Sequence, residues 1–206
     1  MKVLVVYYSL YGHIHTLAQA VGEGVKSIPD VELVLRRVDE FEIVLQKTKD
    51  DAYINQVRDS QSEIPFCTMD DLRDADAIIF GSPTRFGNMA AQMKQLIDST
   101  SGIWMKGGFE GKPAGVFTST GSTHGGQETT LLTMMVPLLH LGMLIVGVPY
   151  STEGLAHTEA RGGTPYGPTT IAGPQGELQP TEGDLLIARA LGSRVAGIAK
   201  KLFSTN

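Results

Sequence analysis

The amino-acid sequence predicts one α/β domain, residues 1–206, in which a parallel sheet is covered by helices on both faces. Short apolar runs rich in β-branched residues alternate along the chain with segments of helical period. The runs are almost uniformly apolar, which is typical of strands buried on both faces of a sheet. A chain of 206 residues is also long enough to bury a core without a metal or a disulfide.

Five apolar runs predict the strands of this sheet, at residues 3–8, 31–38, 77–81, 114–118 and 143–148. Helices between them are predicted from apolar residues that recur at i, i+3, i+4 and i+7. The first predicted helix runs from Ile14 to Ile28, and the second contains Met89, Met93, Leu96 and Ile97. The third covers residues 131–141, whose five leucines are predicted to be core, and the fourth follows Thr181 and Asp184. The third of these is predicted to kink or restart near Pro137, and the last begins with a capping box.

Two segments are longer than simple connections and are predicted to be insertions. Residues 40–66 are polar and mixed, with a helical piece at about 50–58. Residues 150–180 are rich in glycine and proline, and a long irregular segment inside a compact domain is usually either functional or disordered. Tyr166 and Ile171 provide apolar material for packing, which favours an ordered functional loop.

Composition narrows the function classes. Hydrophobic residues make up 42% and charged residues 19%, and the formal net charge is -5, so no basic patch for nucleic acid is expected. Cys67 is the only cysteine, which excludes an intrachain disulfide and fits a reducing cytoplasm. The first apolar run is too short for a signal sequence or an integral membrane segment. We therefore expect a cytoplasmic protein.

The first functional candidate is YYSLYGHIHT, residues 7–16, which follows the first predicted strand and opens the first predicted helix. In a doubly wound sheet, ligands bind beyond the carboxyl ends of the strands, where the strand order reverses. The hydroxyls of Ser9 and Tyr11 and the main-chain N–H groups of residues 12–14 can surround a phosphate at the positive end of the helix dipole. The segment is neither a Walker motif nor a GxGxxG fingerprint. It predicts a phosphate site for a mononucleotide that needs no metal ion.

A metal site and an ordinary turn are the other interpretations of this segment. His13 and His15 supply at most two metal ligands, and no cysteine or carboxylate cluster completes the set. An ordinary turn would suffice only if the other strand ends were equally plain. They are not, because GSPTRFGN (81–88) and TSTGSTHGGQE (118–128) place glycine, proline and hydroxyls where a backbone must approach a flat ligand. The three strand ends together predict a slot for flavin mononucleotide (FMN).

These motifs, together with RGGTPYGPTTIAG, resemble those of the WrbA family of flavodoxin-like, FMN-dependent NAD(P)H:quinone oxidoreductases, over nearly the whole chain. The resemblance implies a flavodoxin-like three-layer sandwich with a five-stranded parallel sheet, in the order 2-1-3-4-5, and helices on both faces. It also implies FMN as the cofactor, NADH or NADPH as the reductant and a quinone as the substrate. The 40–66 insertion matches no motif of the family, and the loop after the fourth strand is one residue longer than in some members.

The resemblance also assigns roles to individual residues. It implies that the FMN phosphate is held by Ser9, Leu10, Tyr11, Gly12, His13 and Ile14. It implies that the isoalloxazine ring is flanked by Pro83, Thr84, Arg85 and Phe86 on one side and by Ser119, Thr120, Gly121, Ser122, Thr123 and His124 on the other. His140 is implied to reach the flavin site as the catalytic residue, Tyr11 to contact the nicotinamide nucleotide, and Trp104 to line the substrate pocket.

Structural roles are the alternatives for the single residues. His140 lies in an apolar helix, where a histidine bonded to a carbonyl is the simpler explanation, and only the resemblance favours a flavin role. Trp104 could be a core side chain, but its glycine-rich flanks favour an exposed stacking surface. Arg85 could be a plain surface charge. Cys67 has no basic neighbour within several residues and is predicted to be inert.

The implied reaction is the two-electron reduction of a quinone to a hydroquinone by hydride transfer through N5 of FMN. A single pocket that receives the nicotinamide and the quinone in turn predicts ping-pong kinetics, with His140 donating a hydrogen bond or a proton to a quinone oxygen. The alternative is a flavodoxin-type carrier of single electrons, for which the sequence lacks an intensely acidic docking face. A receiver-type signalling domain would need acidic Mg²⁺ ligands where the chain has Tyr7-Tyr8-Ser9.

The loop with Trp104 and the 150–180 segment extend beyond a minimal five-strand fold. Trp104, Phe109, Tyr166 and Ile171 are expected to expose apolar surface in a monomer, which usually marks an interface. The resemblance implies dimers and dimer-of-dimers tetramers. We therefore expect a homotetramer with D₂ symmetry, in which Trp104 acts on the site of a neighbouring chain.

Overall fold

The computed structural model describes residues 1–203 and contains strands and helices in alternation, as the sequence predicts. The elements in chain order are β1 (Lys2–Tyr7), α1 (His13–Lys26), β2 (Glu32–Arg37), α2 (Glu42–Lys47), α3 (Ala52–Ser60), α4 (Met69–Asp74), β3 (Ala77–Arg85), β4 (Asn88–Met89), α5 (Ala91–Asp98), α6 (Ser101–Trp104), β5 (Pro113–Thr120), α7 (Gln127–His140), β6 (Leu144–Ile145), β7 (Thr169–Ile171) and α8 (Glu182–Phe203). Among these residues, no helix is long and apolar enough to span a membrane.

The main strands are parallel and lie in the order β2-β1-β3-β5-β6. This confirms the predicted order 2-1-3-4-5, because β4 is only a two-residue strand that pairs antiparallel with the end of β3. The chain leaves β1 towards β2 on one side and returns to β3 on the other. The carboxyl ends of β1 and β3 therefore form the topological switch point, where open α/β sheets bind ligands.

The fifth strand was predicted at residues 143–148, and this extent is wrong, because β6 contains only residues 144–145. β6 pairs only with Pro113 and Ala114 at the start of β5, and β7 pairs with residues 118–120 at its end. Two short strands thus share one sheet edge. Between them the chain leaves the sheet after Ile145 and re-enters it at Thr169, directly after Pro168. The excursion delivers the residues that follow β7 to the carboxyl end of β5.

Side chains along β1 alternate between two cores, which explains why the strand is a continuous apolar run. Val3, Val5 and Tyr7 pack in a cluster with α1 and α8, and Leu4 and Val6 pack in a cluster with α5 and α7. All five side chains are fully buried. The sheet is covered on both faces, so the predicted three-layer arrangement is confirmed.

Helix α7 differs from its prediction in two respects. It begins at Gln127 and continues through Pro137 without a restart. The expectation that all five of its leucines are core is wrong for Leu132 and Leu139, which are 42% and 59% exposed. Because the helix is apolar around most of its circumference, periodicity could not identify its outer face. That face remains as uncovered apolar surface within the chain.

Other expectations are settled by the positions of single residues. The expectation that Phe109 lies at an exposed surface is wrong, because its side chain is buried in the cluster with α5 and α7. Met89 belongs to β4 rather than to the helix predicted after the third strand. The helical piece expected at about 50–58 is confirmed by α3. The capping box is also confirmed, because Thr181 and Asp184 each accept a hydrogen bond from the other's main-chain N–H.

Two glycines allow the backbones of α1 and α8 to touch. A Cβ atom added to Gly24 would lie 2.0 Å from the carbonyl oxygen of Arg189, and one added to Gly192 would lie 2.0 Å from that of Val21. Both distances are far inside van der Waals contact. The contact fixes the direction in which α1 leaves the ligand-binding end of the sheet.

We expect Gly192→Ala to lower the free energy of unfolding by about 1–3 kcal/mol, because α8 must move away from α1. Gly197→Ala on the same helix is the matched control, since a Cβ there meets no atom within 4 Å. The control should be neutral or up to about 1 kcal/mol more stable, because alanine is the better helix former. Urea denaturation measures both, and equal effects would contradict the close helix contact.

Candidate functional site

A cleft of about 300 Å³ opens at the carboxyl ends of β1, β3 and β5. Its size is at the lower end of the range for small-molecule pockets. Four chain segments line it, namely residues 9–14 after β1, 83–85 at the end of β3, 119–121 at the end of β5 and 172–176 after β7. The first three are the strand ends that the sequence predicts to form one site, and the structure brings them together.

The start of α1 offers free hydrogen-bond donors to this cleft. Gly12 precedes the helix with φ 93°, a conformation that strongly favours glycine. Gly12 has no side chain with which to cap the helix, and the first turn contains no acidic residue. Within residues 1–203, the N–H groups of His13 and Ile14 have no acceptor, whereas that of His15 bonds to Ser9 Oγ at 3.2 Å. The helix start thus presents unpaired, uncharged donors of the kind that bind anions at helix N-termini.

The charges around the cleft suit a phosphate as well. Among residues 1–203, no acidic side chain lines it, and Arg85 is the only lining residue with a permanent positive charge. Ser9, Thr84 and Ser119 add hydroxyls to the lining. A phosphate at the start of α1 would therefore meet donors without a carboxylate to repel it, and the remaining slot has room for a flat ring. The residues present fit FMN.

His13 connects the start of α1 to the fourth lining segment. Its side chain is buried, and Nε2 lies 2.9 Å from the carbonyl oxygen of Leu178. Because a carbonyl only accepts, Nε2 must carry the proton. Burial lowers the pKa of the imidazole, so His13 is neutral at pH 7. The ring fastens the segment after β7 against residues 9–14.

His15 has different surroundings. Its ring stacks on Tyr7 at a centroid distance of 5.7 Å and an interplanar angle of 9°, and burial lowers its pKa. Its Nε2 atom is buried and has no hydrogen-bond partner among the residues that the structure describes. In the part of the chain that the structure describes, no three histidine, cysteine, aspartate or glutamate side chains form a group able to hold a metal. The metal interpretation of His13 and His15 therefore gains no support.

The end of β3 forms one rim of the cleft. Thr84 Oγ1 accepts hydrogen bonds from Thr130 Oγ1 at 2.8 Å and from the N–H of Gly87 at 3.2 Å, which fixes the rim in place. Phe86 follows with φ 53° and a fully exposed ring. A bulky residue in this conformation stores strain, which proteins retain mostly at functional sites. Phe86 does not line the cleft itself but projects from the hairpin beside it.

The end of β5 forms the opposite rim, which stops at Gly121. Ser119 and Thr120 are buried and line the cleft. The predicted contacts Ser122, Thr123 and His124 lie on the next turn and are not part of the lining. Within one chain, the structure therefore does not place these three residues beside the cleft.

His140 and Trp104 share a second groove of about 590 Å³ between α5, α6 and α7. Trp104 is 53% exposed, in agreement with the expectation that it is not a core side chain. The β3–β4 hairpin separates the groove from the cleft, because Thr84 and Arg85 line the cleft whereas Asn88 and Met89 line the groove. Within one chain, neither His140 nor Trp104 lines the cleft.

The lining segment 172–176 was missing from the residue roles assigned on the sequence. Gly173 and Gly176 have φ values of 80° and 75° on either side of Pro174, so the sequence does mark a turn here. Nothing in the sequence shows that β7 pairs beside β5, which is what brings this turn to the cleft.

Cys67 was predicted to be inert, and its surroundings are consistent with this prediction. Burial raises the pKa of its thiol to about 12, so almost no thiolate is present at neutral pH.

A parallel sheet in this order, with an anion-binding helix start at its switch point and two backbone rims beside it, defines the flavodoxin-like class of α/β proteins. Comparison with known proteins identifies the group within that class. The chain belongs to the family described as NADPH-dependent FMN reductase, which matches residues 1–158.

Relatives and solved structures agree with this assignment. A curated NAD(P)H dehydrogenase (quinone) from Geotalea daltonii is 53% identical over 98% of both chains. Another, from Geobacter sulfurreducens, is 54% identical over 98% of this chain and 99% of its own. The crystal structure of a WrbA-like flavodoxin from Agrobacterium tumefaciens covers 97% of this chain and 98% of its own, with 27% identity and a TM-score of 0.64. The resemblance stated from the sequence is confirmed.

The two buried histidines predict loss of stability in acid. Their folded-state pKa values are lowered by burial, so below about pH 6.5 the unfolded chain binds protons that the folded chain does not. The free energy of unfolding should therefore fall as the pH drops from about 6.5 towards the lowered pKa values. His15→Phe should reduce this fall, because it removes one of the two buried imidazoles. The substitution breaks no hydrogen bond of Nε2, since that atom has no partner among the described residues.

Urea denaturation of the apoprotein at several pH values between about 5 and 7.5 measures this effect. His124→Phe is the control, because it replaces an exposed histidine and keeps both buried ones. An unaltered slope in His15→Phe would show that His15 is not the group that resists protonation.

Proposed function

We propose that this protein is an FMN-dependent NAD(P)H:quinone oxidoreductase that reduces quinones to hydroquinones by two electrons. The observation that carries the proposal is the cleft at the β1–β3 switch point, with free N–H donors at one end and two backbone rims at the other. The family and the curated relatives, whose names include NAD(P)H and quinone, support the reaction. The whole chain would act as one flavodoxin-like domain in the cytoplasm.

Each part of the cleft has a separate task in this proposal. The start of α1 and Ser9 bind the phosphate, while residues 83–85 and 119–121 hold the ring between them. The bound FMN would supply hydride transfer at N5, with the nicotinamide and the quinone occupying the same place in turn. Tyr11 is 47% exposed at the mouth of the cleft, where its ring can contact the nicotinamide nucleotide.

His140 and Trp104 enter this proposal through assembly. Since neither residue lines the cleft of its own chain, we assign both to the cleft of a neighbouring chain in a D₂ homotetramer. Trp104, Leu139 and Val136 are each more than half exposed, Trp104 and Val136 line the same groove, and exposed apolar surface of this kind usually marks an interface. In the assembled site, Trp104 would wall the pocket and His140 would donate a hydrogen bond or a proton to a quinone oxygen.

Anaerobic spectroscopy tests the reaction. The purified protein should be yellow, one equivalent of NADH or NADPH should bleach it, and one equivalent of a benzoquinone should restore the colour. Initial rates at several fixed quinone concentrations should give parallel double-reciprocal lines, because the two substrates use one place. Intersecting lines would contradict the shared pocket. A flavin that NADH and NADPH reduce only slowly would indicate the alternative, a single-electron carrier.

Mixed tetramers test whether Trp104 acts between chains. Trp104→Ala should lower kcat/KM by about tenfold, the upper range for loss of an aromatic contact. Gly12→Val should abolish FMN binding, because valine is strained at φ 93°. Co-expression of the two variants should recover part of the lost activity, since intact clefts then meet intact tryptophans.

The control is co-expression of Trp104→Ala with the double variant Gly12→Val/Trp104→Ala, which offers no intact tryptophan and should recover nothing. Light scattering gives the mass of each mixture. No recovery in verified mixed tetramers would place Trp104 at its own chain's cleft. A monomer that stays fully active at micromolar concentration would overturn the assembly.

A further inference from the structure

A loop that binds phosphate through its N–H groups must point its carbonyl oxygens away from the phosphate. Carbonyl oxygens carry partial negative charge, so those that turn towards the ligand weaken phosphate binding. Such a loop also needs something to hold it in this orientation before the ligand arrives, because ordering it on binding costs affinity. In this protein, groups from the 40–66 insertion contact the outer side of the loop.

Two side chains at α3 donate hydrogen bonds to main-chain carbonyls of residues 9–14, here called the phosphate loop. Tyr53 Oη lies 2.9 Å from the carbonyl oxygen of Tyr11. Gln61 Nε2 lies 3.3 Å from the carbonyl oxygen of Ser9 and 3.0 Å from that of Val57. Gln61 is only 4% exposed, so water cannot easily replace its donor.

The helix also packs against the residue that bends the loop. A Cβ atom added to Gly12 would lie 3.6 Å from Cγ2 of Val57, which places the end of that side chain directly behind the turn. α3 is itself well anchored, because Asp51 caps its first turn through a 3.0 Å bond from the N–H of Ile54. The buried side chains of Ile54 and Val57 fix its inner face.

We propose that α3 positions the phosphate loop, with Tyr53 and Gln61 as positioning residues that hold the carbonyls of Tyr11 and Ser9 away from the ligand. The insertion thereby turns uncharged main-chain groups into a site selective for the phosphate of FMN. This inference rests on FMN occupying the cleft, as proposed above. Neither side chain lines the cleft, so both act only through the loop.

Selectivity between FMN and riboflavin distinguishes this role from general support of the fold. The two flavins differ only in the phosphate, so loss of the loop's orientation should weaken FMN and leave riboflavin nearly unchanged. Tyr53→Phe should raise the Kd for FMN about threefold, because its hydrogen bond is partly exposed. Gln61→Leu should raise it about tenfold, because the carbonyl of Ser9 loses a donor whose side chain is buried. Riboflavin should change by less than about twofold in both variants.

The experiment is a fluorescence titration of each apoprotein with FMN and with riboflavin, with thermal unfolding of the same samples. Tyr150→Phe and Gln46→Leu are the matched controls, since both side chains are exposed and lie outside the cleft lining. Both controls should keep the wild-type ratio of the two Kd values. If Gln61→Leu unfolds, Tyr53→Phe alone still decides.

Equal weakening of FMN and riboflavin would overturn the inference, because it would reduce α3 to a structural support. An unchanged ratio in Tyr53→Phe and Gln61→Leu would overturn it too. A wild-type protein that binds neither flavin, or that binds both equally, would instead refute the proposed cofactor site from which the inference starts.

Discussion

The site depends on one constraint, which is that α1 must begin at the β1–β3 switch point with its first N–H groups unpaired. Gly12 makes this possible, because its φ of 93° turns the chain from β1 into the helix within a short loop. The absence of an acidic residue in the first turn keeps those donors free for an anion. Both rims of the cleft follow from the same sheet, since parallel strands carry their loops to one edge.

The rest of the fold holds this helix start in place. At the far end of α1, the contact of Gly24 with α8 sets the direction of the helix axis. Near its start, His13 bonds to Leu178 and so attaches the segment after β7. On the outside, α3 supports the loop through Tyr53 and Gln61. Residues 40–66 and 150–180 thus both contact the same loop at the start of α1.

The sequence patterns were sufficient for the strands and for most of the cleft, because local signals there agree with the global fold, whereas the sheet order came from the family resemblance. Apolar runs marked the strands, and glycines and hydroxyls marked the strand ends that meet. The split fifth strand was not predictable, since the pairing of β7 with β5 is a long-range contact without a local signature. The exposure of Leu132 and Leu139 was missed because an all-round apolar helix gives no preferred face.

Residues 122–124 and His140 show a different limit. Their roles came from resemblance alone, and one chain does not bring any of them to the cleft lining. The proposed action of Trp104 on a neighbouring subunit has no counterpart within its own chain except the exposure of Trp104 and Leu139. Sequence patterns describe contacts within a fold, whereas the partner of an exposed apolar side chain depends on symmetry that one chain does not display.

The position of the phosphate at the start of α1 is tested most directly by ³¹P NMR of the FMN-loaded protein as a function of pH. The second pKa of a phosphate monoester is about 6 in water. Hydrogen bonds from main-chain donors favour the dianion and lower that pKa. The bound phosphate should therefore keep one chemical shift between about pH 8 and pH 5. A resonance that titrates near pH 6, as in free FMN, would contradict the site.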